Sequence, residues 1–477
     1  MGISDLISLI TTILLVILLI RFYQVWGMKM LMHPGLYFNL IWLTSVISQW
    51  YLTKIELALL PFPEFADELN IFVGFTALCF LIFLSHGKRK SAQPATPLNY
   101  VYSVKFYQIL AFVSLLSAFF MFFASGASFN LAETRLSGPA NNSLISGGNK
   151  SGLYIIAQIA TSFNPLMSIF AGYLIGMKIQ RKEVLISSYF WLLAPFMIAL
   201  IFMFTSGGRN PLAVGLKVYL LGFAFSMPQL LISKLRNKIF KYIFLILFGF
   251  TLFSTAAAVQ RQIKMQSYNK FLDATNYDSK IIFAFSGILE YMSAHYWGYQ
   301  LRRVDSMEPE LGWGYNTFYG VIDAGIPFSG LMGINSSLVN LLGIEEQDYL
   351  SSYNSGKEGS YTTTSVYLAI VKDFGVPGAF VFIFFFAFYT QWLFTRAMRK
   401  KYFKATNIFF LYLCFQFWAS SNFGSAYNSN FSVFNLFILF FVFDYMQKIF
   451  ANRPKIRNKE GVLNHISQQG FTSSAKA

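Results

Sequence analysis

Apolar runs long enough to cross a membrane fill most of this 477-residue chain. A helix needs roughly 20 apolar residues to cross about 30 Å of hydrocarbon, and a window of that length finds about eleven candidate spans. The sequence therefore predicts an all-α polytopic membrane protein. The candidate spans are residues 4–20, 36–52, 70–85, 106–124, 153–177, 185–205, 211–232, 242–258, 376–395, 407–424 and 431–447.

Composition and charge support this class. Charged residues make up 12% of the chain, against roughly 25% in soluble proteins. A net charge of +16 can mark nucleic-acid binding, but the basic residues here form short clusters between apolar runs, as in membrane proteins. We therefore expect membrane lipid, and not nucleic acid, as a partner. Cys79 and Cys414 lie inside apolar runs, so no disulfide framework or cysteine metal site is expected.

The basic clusters also orient the chain. If the N-terminus lies outside, every cytoplasmic segment carries at least two Lys or Arg, and most of the 21 acidic residues fall outside. Cytoplasmic loops of membrane proteins carry this basic excess. The sequence therefore predicts an outer N-terminus and a cytoplasmic C-terminus.

The spans divide the chain into four parts. Residues 1–258 hold eight spans, and residues 259–362 form a long outer loop that is rich in aromatic residues. Residues 363–447 hold a re-entrant segment and three spans, and residues 448–477 form a cytoplasmic tail. Long loops in compact proteins are usually functional or disordered, and the aromatic content here favours a functional loop.

The outer turn Thr205-Ser206-Gly207-Gly208-Arg209-Asn210-Pro211 is a candidate anion site. Asn210 and Pro211 suit the first positions of a helix, whose free amides together with an arginine bind phosphate. Lys217 follows about 10 Å down the predicted helix on roughly the same face. The alternative is that Arg209 and Lys217 extend to the lipid headgroups at the outer interface.

The long outer loop supplies further candidates. Glu290 and His295 are possible general bases, and Arg302 and Arg303 form a second cation pair for phosphate. Aromatic rings between them suit the apolar faces of a sugar. The alternative is an interfacial amphipathic helix, over about residues 281–299, that places Trp and Tyr at headgroup depth.

A third group of candidate site residues precedes the ninth predicted span. One helix through this region would be too long for the hydrocarbon, so we expect Gly375 and Pro377 to break it. Lys372 and Asp373 then end a short re-entrant or surface helix. They either contribute to the site, Lys372 to phosphate and Asp373 as a base, or form a capping ion pair.

The cytoplasmic loops carry no nucleotide-binding glycine loop, no HExxH and no Asp-x-Asp pair. Outside the cytoplasmic membrane no nucleotide sugar is at hand. An enzyme with its chemistry there therefore needs a donor that arrives in the membrane, and a lipid-linked phosphate or pyrophosphate fits. We expect no metal ion and no cofactor.

Two motifs resemble those of the bacterial oligosaccharide repeat unit polymerases, the Wzy-type O-antigen and capsule polymerases. They are Ser-Gly-Gly-Arg at 206–209 and the run from Thr362 to Gly378, which contains Thr-Thr-Thr and Lys-Asp-Phe-Gly-Val-Pro-Gly. Family members also carry outer-loop arginines followed at fixed spacing by glycine, as Arg303 and Gly314 are here. The many spans and the one dominant outer loop agree with the family's plan.

The resemblance implies a membrane fold of the GT-C type in the bacterial cytoplasmic (inner) membrane. The implied reaction transfers a growing glycan from undecaprenyl pyrophosphate to the sugar of another lipid-linked repeat unit, with a chain-length regulator as a possible partner. Arg209, with Arg302 or Arg303, would then stabilise the departing pyrophosphate, and Glu290, His295 or Asp373 would take the acceptor proton.

Three alternatives remain open. A glycan ligase would share the arginines and the outer loop. A lipid-linked oligosaccharide flippase usually shows an internal repeat, which the sequence lacks. A membrane O-acyltransferase would need a buried histidine within a span, whereas His33, His86 and His465 fall in inside segments and His295 in the outer loop.

Overall fold

The protein is described from a computed structural model, whose regular secondary structure within the described residues is helical throughout. This part of the chain contains no strand, and the predicted all-α class is confirmed for it. The described residues are 2–54, 64–85, 100–124, 164–180, 186–206, 215, 216, 218–223, 289, 292, 293, 295, 296, 298–300, 303, 314, 317, 365–399, 405–419, 421 and 445.

Eight α-helices and one 3₁₀ segment, Gly27–Met32, are delimited within the described residues, and residues 218–223 are also helical. Their positions match the predicted spans wherever both can be compared. Most of the predicted spans 211–232, 242–258 and 431–447 lies outside the described residues. The helices are α1 Ile3–Trp26, α2 Pro34–Lys54, α3 Ala66–Ser85, α4 Tyr100–Ala124, α5 Asn164–Gln180, α6 Ile186–Ser206, α7 Val366–Arg399 and α8 Ala405–Ala419.

The exposed and buried faces of α1 indicate whether the helix is surrounded by water or by lipid. Its exposed face carries Leu6, Ile13 and Ile20, whereas its buried face includes Ser8 and Thr11. A helix in water shows the opposite pattern, and a helix in lipid uses small polar residues as contacts to other helices. Within the described residues, the stretches Ile3–Trp26, Ala66–Leu84 and Val366–Ala397 are long and apolar enough to cross a membrane. The chain is an all-α membrane protein.

Helices α1 and α3 run in the same direction. The Ser4 hydroxyl donates to Asp67 Oδ2 at 2.6 Å near their N-termini, and Phe22 contacts Phe80 near their C-termini. We call the end at which both helices begin the top of this bundle, and the opposite end the bottom. Helix α2 starts at the bottom, because His33, just before it, packs on Phe22 and Phe80. It therefore rises toward the top.

Helix α7 is two helices joined at Gly375, whose backbone (φ 66°, ψ 174°) is not helical. The break that the sequence predicts at this position is confirmed. We call residues 366–374 the short arm and residues 376–399 the long arm. The long arm descends beside α3, with Phe380 against Phe72 near the top and Phe388 against Phe83 near the bottom.

The short arm folds back along the long arm. The Val366 N–H donates to Ser421 O at 2.8 Å, and the indole N–H of Trp418, one turn away, donates to Thr390 Oγ1 at 2.9 Å. A straight helix would hold Val366 and Thr390 about 36 Å apart, at 1.5 Å per residue. The start of the short arm therefore lies inside the bundle, and its end, at Asp373 and Phe374, returns to the turn at Gly375.

Alanine in place of Gly375 should destabilise the protein by about 1–3 kcal/mol, since this backbone region is almost restricted to glycine. The measurement is the Tm of the purified protein in detergent. The control is Gly2→Ala, because a Cβ at Gly2 meets nothing within 4 Å and its φ is −75°. An unchanged Tm for Gly375→Ala would show that the two arms do not depend on this turn.

Helices α4, α5 and α6 pack together in a second group with residues 215, 216 and 218–223. The Tyr107 hydroxyl donates to Trp191 O at 2.7 Å, which joins α4 to α6. Helix α5 and residues 218–223 touch backbone to backbone, because Gly172 lies against Tyr219 and Gly222 against Ile169. Glycine permits this approach, as it does in many membrane helix pairs.

Candidate functional site

Some described residues of the segment 259–362, which the sequence predicts to be an outer loop, lie inside the bundle. We call its described residues between 289 and 303 the inserted segment; they are helical and lie between α2 and α3. On one side Ser45 Oγ donates to the carbonyl of Met292 at 3.0 Å. On the other side the Tyr296 hydroxyl donates to Asn70 Oδ1 at 2.5 Å. The segment therefore joins the two helices through polar contacts.

This position differs from the interfacial helix that was the alternative in the sequence. Ser293, His295, Tyr296 and Tyr299 are all buried. A helix at the membrane surface would expose one face, so the described part of 281–299 is a packed element of the bundle. The spacing of Met292, Tyr296, Tyr299 and Arg303 follows one helix face and was the available signal for this packing.

Arg303 anchors the top of the inserted segment. Its Nε donates to Glu68 Oε1 at 3.0 Å, and the Tyr299 hydroxyl donates to the same oxygen at 2.5 Å. The guanidinium carbon lies 5.6 Å from the centre of the Phe65 ring. Burial, and then the charge of Glu68, raise the pKa of Tyr299 well above its usual value. Glu68 thus balances the charge of Arg303, while the pyrophosphate role of Arg303 stays a prediction.

His295 is the most deeply placed of the described site candidates in the inserted segment. Its ring meets the Trp42 ring edge-on with centroids 4.7 Å apart, and only 1% of the residue is exposed. Among the described residues its Nε2 has no hydrogen-bond partner. Burial lowers the pKa of His295 to about 3, so the imidazole is neutral at pH 7. A neutral imidazole can accept a hydrogen bond from a hydroxyl group.

Two histidines bear on the O-acyltransferase alternative, which the sequence made the weakest because no histidine falls within a predicted span. His33 and His295 are both buried, but neither lies in a predicted span. His33 Nδ1 accepts the Gly35 N–H at 3.0 Å, and Nε2 is 2.7 Å from Gln391 Oε1. Both nitrogens of His33 are therefore used structurally, whereas His295 keeps one nitrogen without a described partner.

Trp42 connects the inserted segment to the short arm. Its indole N–H donates to Ser421 Oγ at 2.7 Å, and its ring lies 5.6 Å from that of Tyr367. The Tyr367 hydroxyl is 2.7 Å from Thr76 Oγ1 on α3. Asn39 lies one turn below Trp42 on α2 and is fully buried. The sequence interpretation missed Trp42 and Asn39, because uncharged residues inside an apolar run do not alter the prediction of a span.

Asp373 lies at the end of the short arm and is fully buried. Its Oδ2 accepts the backbone N–H of Thr317, a residue of the predicted outer loop, at 2.5 Å. Lys372 beside it is half-buried. The structure thus uses Asp373 to tie the loop to the turn at Gly375, and its role as a base stays a prediction.

Four of the predicted site residues lie outside the described residues: Arg209, Lys217, Glu290 and Arg302. Within the described part of the chain, no group of three or more His, Cys, Asp or Glu side chains is placed to hold a metal ion. The described site consists of neutral hydrogen-bonding groups, aromatic rings, the Glu68–Arg303 ion pair, and Lys372 and Asp373 near the turn.

Comparisons of this chain with protein-family models, with curated proteins and with solved structures find no match.

Proposed function

We propose that the chain is an oligosaccharide repeat unit polymerase, a metal-independent glycosyltransferase of the bacterial cytoplasmic membrane. It joins undecaprenyl-pyrophosphate-linked repeat units at the outer leaflet, in the synthesis of O-antigen or capsule. The proposed architecture has about eleven spans in a GT-C-type fold, with the N-terminus outside. The common direction of α1, α3 and the long arm agrees with the proposed order of the spans, because an even number of crossings then separates their starting points. The outer position of the N-terminus rests on the basic clusters of the loops.

The observation that carries the proposal is the insertion of the long loop into the bundle. The loop brings His295 and Arg303 between α2 and α3, and Thr317 to the buried Asp373. A candidate proton acceptor and a cation are thus held inside the bundle, and the proposed topology puts the end of the bundle that carries Arg303 on the outer side. A loop that only covered the membrane surface would leave these residues exposed.

The proposed reaction is a single transfer. An acceptor hydroxyl attacks the anomeric carbon of the donor sugar, and the bond from that carbon to the pyrophosphate oxygen breaks. Arg209, with Lys217, Lys372 and Arg302 or Arg303, stabilises the negative charge that grows on undecaprenyl pyrophosphate. The hydroxyl proton passes to a base, for which His295, Glu290 and Asp373 are the candidates. Of these three, His295 is the described side chain whose Nε2 has no hydrogen-bond partner among the described residues.

Arg209→Ala tests the proposal in a bacterial strain that lacks the native gene. We expect long-chain glycan to fall by about 100-fold or more, because an aligned cation is lost from the leaving group. The measurement is the glycan ladder on a gel, with protein level followed by immunoblot. A normal ladder at normal protein level would contradict the role of Arg209.

The deletion strain itself separates the related activities. Loss of a polymerase leaves single repeat units attached to the acceptor, and loss of a ligase leaves none. Loss of a flippase strands the lipid-linked units on the cytoplasmic side. Loss of an O-acyltransferase preserves the ladder and removes acyl groups from it. Only the first pattern agrees with the proposal.

A further inference from the structure

Two buried polar side chains near Trp42 have atoms without a described partner. Asn39 has neither a donor for its Oδ1 nor an acceptor for its Nδ2 among the described residues, and it is 0% exposed. His295 Nε2 is in the same situation. Asn39 lies one turn from Trp42 on α2, and the His295 ring lies against the Trp42 ring. Both residues are thus neighbours of Trp42, Asn39 through the spacing of α2 and His295 through the contact of the two rings.

Buried polar groups nearly always have hydrogen-bond partners, because a buried group without a partner loses its hydrogen bonds to water and gains none in the protein. An amide and an imidazole that lack partners in the same region therefore point to a ligand that supplies them. The ligand must offer both a donor and an acceptor, because Asn39 presents both an amide N–H₂ and a carbonyl oxygen.

The surroundings indicate that this ligand group is uncharged. The start of the short arm could have bound an anion, but its first amides are occupied. The Val366 N–H bonds to Ser421 O, the Tyr367 N–H to Ser365 Oγ and the Leu368 N–H to Ser365 O. Arg303, the described cation in the inserted segment, is paired with Glu68 at the top. Hydroxyl groups, which both donate and accept, fit this environment.

We propose that Asn39 and His295 form a neutral subsite beside Trp42 that binds hydroxyl groups of the acceptor glycan. This assignment rests on the proposed function, and it gives that function a substrate-binding residue on α2. Asn39 orients the acceptor sugar, and His295 accepts the hydrogen bond of the hydroxyl that reacts.

The test compares Asn39→Leu with Asn164→Leu. Asn164 is similarly buried on α5 and its Oδ1 also lacks a described partner, so it is matched in size and burial. Each variant is purified in detergent for its Tm, and each is expressed in the deletion strain for its glycan ladder. We expect Asn39→Leu to keep or raise the Tm while long-chain glycan falls about tenfold or more, and Asn164→Leu to keep the ladder.

The two readouts separate the possible failures. A Tm for Asn39→Leu clearly below that of Asn164→Leu would mean that the amide has a structural partner, which overturns the subsite. A full ladder with Asn39→Leu would also overturn it, because the glycan would not need this side chain. If the wild-type chain restores no ladder, the proposed function and the glycan assignment both fail, while the Tm comparison still reports whether the amide is paired.

Discussion

His295→Ala should lower glycan polymerisation by about 100- to 10,000-fold, the range that a positioned general base contributes. The side chain is held by Trp42 and Tyr296 with Nε2 unpartnered among the described residues, so alanine removes the proton acceptor and leaves its supports in place. The measurement is the rate at which purified protein in nanodiscs extends a lipid-linked repeat unit.

In the free protein the buried His295 is neutral but weakly basic. Burial lowers the pKa of His295 to about 3, so the free protein holds a neutral imidazole. An anionic pyrophosphate bound nearby would raise that pKa and strengthen the base as the donor binds. The same positive shift would not occur in a protein that binds only neutral molecules.

The control for this prediction is His295→Gln. Glutamine keeps a hydrogen-bond acceptor of similar reach but cannot take a proton at neutral pH. We expect it to preserve the Tm and to remain as slow as His295→Ala. If His295→Gln restores the wild-type rate, His295 positions the acceptor and another group, Glu290 or Asp373, is the base.

Gly172→Ala should destabilise the second helix group by about 3 kcal/mol, the upper part of the range for overpacking. A Cβ at Gly172 would overlap the carbonyl oxygen of Tyr219 and lie 2.7 Å from the backbone nitrogen of Phe223. Backbone atoms cannot rotate away as a side chain can, so α5 and residues 218–223 must separate. The measurement is the Tm in detergent, with the yield of monodisperse protein as a second readout.

The control lies in the same helix group. A Cβ at Gly215 would be 3.2 Å from the Cβ of Ala199, a tight contact that involves a side chain only. We expect Gly215→Ala to lower the Tm much less than Gly172→Ala. Equal effects of the two substitutions would show that glycine content, and not the backbone approach at Gly172, controls the stability of this group.

Several elements of the fold could be predicted from the sequence because they depend on local properties. Hydropathy over about 20 residues located α1, α2 and α3 to within a few residues. Helix α1 continues to Trp26, beyond the predicted 4–20, because a helix does not end where its apolar run ends. The break at Gly375 was also predictable, since glycine tolerates the positive φ that such a turn needs.

The site was less predictable, because it depends on contacts between distant parts of the chain. The sequence left the segment before Gly375 as either a re-entrant or a surface helix, and the hydrogen bond from Val366 to Ser421 selects the folded-back arrangement. It likewise left residues 281–299 as a possible interfacial helix. Asn70 and Glu68, which hold Tyr296 and Tyr299 inside the bundle, lie more than 200 positions away.

The sequence by itself determined that this chain is a helical membrane protein, where its main spans lie and where α7 breaks. Each of these follows from the free energy of placing consecutive residues in lipid or from the conformational range of one residue. The tertiary structure decided that the long loop enters the bundle and that Trp42 and His295 come together. A helix rich in aromatic residues is stabilised to a similar extent at the membrane surface and inside a bundle. Hydrogen bonds from polar residues of α2 and α3 are what favour the position inside the bundle here.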